Sequence, residues 1–282
     1  MAIELVTKYL PYVDELFSSE SKKSLLTNND FDWTGAHTIK VYKIGTSAMN
    51  DYDRAGTGSG ATGSRYGAIE NLAATTQSMM ILKDRSFTFV IDKLDSDETG
   101  RALEAATALA RQLREVVVPE VDARVYDVMC KGAGTKPEAV KLTAENIYTE
   151  IIKATTALDN AEVNEAGRVL LVVPEVYQLM KQSKEIVLST NIGEDMRLKG
   201  VISNLDGMNV VKVSKKRVPE NFGFMVAHPC ATVAPTKLAD YKTHQDPPGI
   251  SGQLIEGRVV YDAHVLDNKK KAIYYQENKP VV

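Results

Sequence analysis

Cysteine is scarce: Cys130 and Cys230 are the only two in 282 residues. Two thiols so far apart exclude a disulfide-stapled scaffold and read as buried free thiols of a reducing compartment. They also exclude a cysteine-based metal centre, and the four histidines, His37, His228, His244 and His264, are too scattered to supply one. Long hydrophobic runs are missing. The longest, Val169–Val173, falls far short of the ~20 residues that span a bilayer. No basic region precedes an apolar stretch at the N-terminus, where Glu4 appears early, so no signal peptide is read there. An excess of one charge is absent as well: 34 Lys+Arg face 37 Asp+Glu, for a net charge of −3. That balance gives no electrostatic case for wrapping DNA or coating an anionic membrane. No N-x-S/T sequon and no HExxH occur, and Gly249-Ile-Ser-Gly-Gln253 lacks the last glycine of GxSxG. The acid pairs Asp51/Asp53, Asp95/Asp97/Glu98 and Glu162/Glu165 sit where turns and helix starts are expected, and capping explains them. The basic clusters Lys215–Arg217 and Lys269–Lys271 read as solvated turns. No catalytic, cofactor-binding or metal-ligating residue is assigned.

Glycine, by contrast, is concentrated. Gly56, Gly58, Gly60 and Gly63 crowd one stretch, and 58–63 spells GxGxxG. A dinucleotide turn must follow a buried strand and open a helix, so that backbone amides converge on the phosphates. Here the preceding residues are Asp51-Tyr-Asp-Arg-Ala55, and the positions of a P-loop's lysine and hydroxyl hold Ser64 and Arg65. An exposed, permissive loop is the better reading.

The order of elements is readable from periodicity. Residues 1–36 form a short amphipathic helix over Leu5–Phe17 and an extended arm with no core of its own. Thr38–Ile44 alternates with period two, and strand material returns at Ser78–Leu82 and Ser86–Asp92, so a long hairpin carries the glycines at its tip. Residues 97–131 repeat apolar side chains every three or four positions, from Leu103 to Val128, with charges such as Asp122 and Arg124 between them. Pro119 interrupts this helix and predicts a kink or break. Thr143 caps a second helix through about Asp159. Arg168–Val173 is a buried strand, and Pro174-Glu175 opens a helix that turns Tyr177 and Met180 inward. Strands follow at Met208–Val213 and Phe222–Ala227. Residues 235–252 read as loop, and Arg258–Leu266 with Ala272–Gln276 reads as a closing hairpin.

Several of these stretches, in this order, resemble the major capsid proteins of tailed bacteriophages. Val116-Val-Val-Pro-Glu-Val-Asp-Ala-Arg124 is similar to that family's long spine helix. Val163–Leu179 resembles its strand-proline-helix passage, and Gly200–Val211 the glycine-and-valine segment that follows. Gly223–Pro229 and Gly257–Val265 resemble a late axial strand and a closing strand. The resemblance implies an α+β chain with the Hong Kong 97-type capsid fold. Its parts would be an N-terminal arm (1–36), an E-loop hairpin with its roots (37–92) and a peripheral domain with the spine helix (93–135). An axial domain (136–254) and closing strands of the peripheral domain (255–282) would complete it.

The implied function is a shell subunit, not an enzyme. Copies would assemble as hexamers and pentamers into an icosahedral head around double-stranded DNA, without sequence-specific binding and without a membrane. The glycines and Arg65 would lie at the inter-subunit tip of the E-loop, Pro119 at the spine kink, and Asp246, Pro247, Pro248 and Gly249 in an axial contact loop. Scaffolding, portal and decoration proteins would be partners. Assembly would take place in the bacterial host cytoplasm and end in the virion. The alternative is an encapsulin-type nanocompartment that houses enzyme cargo. Some members crosslink a lysine of the E-loop to a neighbour; no lysine lies between Lys43 and Lys83, so no such crosslink is expected.

Overall fold

The period-two alternation at Thr38–Ile44 is a strand, β1, paired antiparallel with β2 (Ala74–Met80) from Thr38 opposite Met80 to Ile44 opposite Ala74. A computed structural model describes residues 21–28, 38–44, 46–55, 64–67, 71, 74–94, 105–188 and 204–279. The helix expected at Leu5–Phe17 lies outside these, as do Gly56, Gly58, Gly60 and Gly63. By its internal contacts the chain divides into Ala36–Met80 and a larger unit formed by the rest. The hairpin therefore stops at Met80. Ser86–Asp92 belongs to another sheet, as β3 (Lys83–Asp92), and pairs with β10 (Gly252–Tyr261).

In the larger unit a helical rod runs through α1 (Ala105–Gln112), a π-helical turn (Leu113–Val117) and α2 (Val118–Gly132). Of the kink or break expected at Pro119, the break does not occur: helix continues through it. Proline brings no N–H for the carbonyl of Glu115. The helix widens just upstream instead, where the Val118 N–H donates to the Leu113 carbonyl five residues back. A π turn of this kind absorbs the lost bond without ending the helix.

One face of the rod covers a three-stranded antiparallel sheet of order β3-β10-β9, where β9 is Thr236–Gln245. The 235–252 segment was expected to be loop; only its last residues are. β9 reads as polar because it is an edge strand with one solvated face. Tyr241 is buried, while Asp240, Lys242 and His244 alternate with it. Ile91, Leu109, Leu113, Val117, Ile255 and Val259 fill the space between sheet and rod.

The second sheet has five strands in the order β12-β7-β4-β6-β5. These are β4 (Val169–Val172), β5 (Asn204–Leu205), β6 (Met208–Lys212), β7 (Phe222–Ala227) and β12 (Ile273–Glu277), while β8 (Thr232–Val233) and β11 (His264–Val265) form a separate antiparallel pair. β4 is central and wholly buried, as its unbroken apolar run demands. It pairs parallel with β6 after a crossover that includes α4 (Pro174–Gln182), whose Tyr177 and Met180 are buried as expected. α3 (Ile147–Asn160) starts through a reciprocal cap. The Thr143 Oγ1 accepts from the Asn146 N–H (3.4 Å) and the Asn146 Oδ1 accepts from the Thr143 N–H (2.8 Å). The closing hairpin is not formed, because β10 pairs in the three-stranded sheet and β12 pairs with β7. Ile273, Tyr274, Tyr275 and Gln276 are all buried, so β12 needs cover on both faces, which a surface hairpin would not give. The residues between the two expected strands lie in a 3-10 helix, Asp267–Ala272, whose Lys270 carbonyl accepts from the Gly134 N–H. The second half of the rod, through Val125, Tyr126, Met129 and Cys130, joins this core, as does Leu26 from the N-terminal segment.

Candidate functional site

The run Pro119–Arg124 on the rod is where separate parts of the chain meet. The Glu120 carboxylate accepts from the Arg85 Nε (2.8 Å) on β3 and from the Tyr261 hydroxyl (3.0 Å) on β10. The Asp122 carboxylate accepts from the Ser21 hydroxyl (2.6 Å) of the N-terminal segment. Its other oxygen accepts from the Arg217 guanidinium (3.0 Å) in the turn after β6. Arg124 donates to Asp262 (3.0 Å), whose carboxylate also accepts from the Leu82 and Ala263 backbone N–H groups. Three polar side chains within one and a half helical turns thus tie both sheets and Ser21 of the N-terminal segment to the rod.

Asp122 is fully buried. Burial pushes its carboxyl above the usual carboxylate range, against the pull of Ser21, Arg217 and Lys23. Burial likewise pulls the Lys23 ammonium down, with Asp122 acting in the opposite direction. The adjacent Tyr126 hydroxyl is pushed up by burial and by the Asp122 charge. In the sequence pattern Asp122 counts among the charges between the apolar positions of the helix. Its spacing carried the opposite signal, since it falls four residues after Val118 and three before Val125, inside the buried stripe. Ser21 and Asp262 had no signal of their own. Arg217 was read as part of a solvated cluster, but it pairs with Asp122, while Lys215 pairs with Glu175 (3.0 Å).

The hairpin presents a different chemistry. Tyr42 is 74% exposed, Met49 99% and Tyr66 77%. The Tyr52 and Tyr66 rings meet edge to face at 4.9 Å, beside a bond from the Asp53 N–H to the Arg65 carbonyl (3.0 Å). Arg65 is exposed in a turn over 64–67. No strand runs through 51–55, and 64–67 is not a helix, so the residues flanking GxGxxG lack the strand and helix that a phosphate turn requires.

Asp246, Pro247, Pro248 and Gly249 lie together in the β9–β10 turn. The Asp246 N–H donates to the Gly252 carbonyl (2.7 Å), and the Ile250 N–H to the Pro247 carbonyl (3.0 Å). These residues close the three-stranded sheet rather than the five-stranded one. Gly252 has φ +145°, and a Cβ there would sit 2.2 Å from the Ile91 carbonyl, so this turn requires glycine. Pro119 is part of the rod and not grouped with the hairpin or the turn. Among the described residues no cluster of three His, Cys, Asp or Glu side chains could hold a metal. His228 is bonded to the Ala166 carbonyl and the Cys230 N–H, and His244 to Glu256. Cys130 is buried and Cys230 partly so, and neither is in a disulfide. No helix among the described residues is long and apolar enough to cross a membrane.

No protein-family model and no curated protein sequence matches the chain. Solved structures do. A structure from Mycobacterium phage Che8 aligns at TM-score 0.74 and 18% identity, over 91% of this chain and 90% of that one. The capsid structure of cyanophage P-SCSP1u aligns at TM-score 0.71 and 14% identity, over 91% and 87%. A virus-like particle from Pyrococcus furiosus aligns at TM-score 0.60 and 12% identity, over 98% and 100%. An α+β chain with a separate two-stranded hairpin, a rod that packs on two sheets and this degree of overlap has the Hong Kong 97-type fold of tailed-phage capsid proteins.

Proposed function

We propose that this protein is the shell subunit of an icosahedral phage head, a structural protein that assembles as hexamers and pentamers around double-stranded DNA. The observation that carries the reading is the near-complete overlap of the chain with phage capsid structures. The hairpin supports it. Two strands with exposed tyrosines and methionine cannot build a core of their own, and each Å² of apolar surface covered by a neighbour contributes ~25 cal/mol. Many weak contacts suffice because a closed shell multiplies them. The glycines at 56–63 and Arg65 reach over an adjacent copy in this reading. Asp246–Gly249 adds a contact at the end of the three-stranded sheet. Scaffolding, portal and decoration proteins complete the particle, which is assembled in the host cytoplasm and becomes the virion. A slightly acidic subunit suits the enclosure of DNA without sequence-specific binding.

The alternative is an encapsulin-type compartment with enzyme cargo, favoured by the full-length overlap with the Pyrococcus furiosus particle. Electron microscopy of the purified protein, with a nuclease-protection assay on particles from infected cells, decides. Closed shells that protect DNA are expected. A protein that stays monomeric overturns both readings, and shells that hold only protein cargo support the compartment.

A further inference from the structure

The chain is slightly acidic as a whole, yet its lysines are not evenly spread. Two lysine-bearing segments lie far apart in sequence: Lys131–Lys136, where α2 ends, and the 3-10 helix Asp267–Ala272 with the start of β12. The fold lays one along the other. The Gly134 N–H donates to the Lys270 carbonyl (2.8 Å), the Thr135 N–H to the Ile273 carbonyl (3.3 Å) and the Tyr275 N–H to the Thr135 carbonyl (3.0 Å). Lys131, Lys136, Lys269, Lys270 and Lys271 therefore gather at the end of α2, beside the carboxylates of Asp127 and Asp267. The next charges along β12 balance one another, Lys141 and Lys279 against Glu138 and Glu277.

Three of the five lysines are accounted for within the chain. Lys131 pairs with Asp127 (2.8 Å) and Lys270 with Asp267 (2.7 Å). The Lys136 ammonium donates to the Lys131 carbonyl (2.6 Å) at the end of α2, where the helix dipole favours a cation. Lys269 and Lys271 pair with no carboxylate among the described residues, and Lys271 is exposed. Crowded like charges repel, which costs stability until an opposite charge lies against them. An extended polyanion supplies it: duplex DNA carries one charge per ~1.7 Å, and each phosphate met by an ammonium releases a counterion. Contacts of this kind hold the backbone and read no sequence.

We propose that Lys269 and Lys271, flanked by Lys131, Lys136 and Lys270, form a docking surface for the phosphate backbone of double-stranded DNA. The positive charge is local, so a subunit that is acidic overall touches DNA at one place. The choice of DNA rests on the reading of a shell around a genome. Binding is measured on the purified chain and needs no shell, so the two ideas fail separately.

Fluorescence anisotropy of a short labelled duplex, titrated with the full-length chain over a range of salt concentrations, tests it. Lys269→Ala with Lys271→Ala should weaken binding by about tenfold or more and lower the slope of log K against log salt by about 2, since each phosphate contact contributes ~0.9. Lys93→Ala with Lys184→Ala removes the same charge from exposed positions elsewhere and should change both far less. Acetylation of the unsubstituted chain gives a second reading: DNA should slow the modification of Lys269 and Lys271 several-fold and leave Lys93 and Lys184 unchanged. No binding at low salt, equal losses in the two double variants, or acetylation that DNA leaves unaltered overturns the surface. Poly-L-glutamate that competes as well as DNA, charge for charge, overturns the assignment to phosphate. A chain that binds DNA through Lys269 and Lys271 but forms no shell counts against the shell reading alone.

Discussion

Replacing Asp122 separates two roles that a buried carboxylate can have. Asp122→Ala removes the acceptor of both the Ser21 hydroxyl and the Arg217 guanidinium and leaves a small void in the rod. Removing one partner of a buried pair costs about 3–5 kcal/mol. The Arg217 side chain is 23% exposed, however, so it can recover part of its hydration and the expectation falls to about 2–3 kcal/mol. Asp122→Asn differs. It keeps an oxygen for Arg217 or Ser21 and loses the charge that burial disfavours. Because burial is the largest influence on Asp122 and raises its pKa, the charge is a net burden in the folded state. The asparagine variant should lose about 1 kcal/mol or less.

The sign with pH follows. A carboxyl whose folded pKa is raised binds its proton more tightly when folded. Its stabilising effect is present below the unfolded value of about 3.9 and is lost as pH rises through the raised folded value. The difference between wild type and Asp122→Asn should therefore shrink on acidification, since a protonated Asp122 resembles asparagine. Denaturant unfolding of the purified chain at two pH values measures all three quantities. If Asn is as damaging as Ala, the ion pair and not the hydrogen bonding holds Ser21 and Arg217 to the rod, and the reasoning fails. If Ala costs under about 1 kcal/mol, the junction anchors nothing.

The remaining expectations are shorter. A Cβ on Gly257 would sit 2.3 Å from the Phe87 ring, which lies over it from the paired strand, so Gly257→Ala should lower the unfolding temperature by several degrees and Phe87→Leu should restore part of the loss. Burial pushes the Cys130 thiol up to about 12, so iodoacetamide at pH 8 should label Cys230 well before Cys130 in the native chain, as read by peptide mass; equal rates would contradict the packing around α2. Intact-mass analysis of dissociated shells should show single chains, because no lysine lies between Lys43 and Lys83; covalent multimers would refute this.

What could be read from the sequence was what periodicity controls. β1, β4, β6, β7 and the start of α4 fall where alternation, apolar runs and Pro174 put them. The rod was readable over its described part, but not its continuity through Pro119, because the π turn depends on backbone geometry rather than residue type. β9 was hidden: an edge strand with one wet face shares its composition with a loop, and its partner β10 follows it only after a turn rich in proline. The closing hairpin failed because pairing is a long-range choice, and β12 gains more from β7 than from its neighbour in sequence. The junction was half visible. The Pro-Glu-Val-Asp-Ala-Arg run stood out as a motif, yet its meaning lies in Ser21, Arg217 and Asp262, which only the fold brings to it.

The rod lends its first half to one apolar cluster and its second half to the other, with the handover between Val121 and Val125. A wall shared in this way leaves neither core able to melt alone, since losing either strips one side of the same helix. Heat should therefore take the two sheets apart in one cooperative step, and a force that bends the rod would load both layers together.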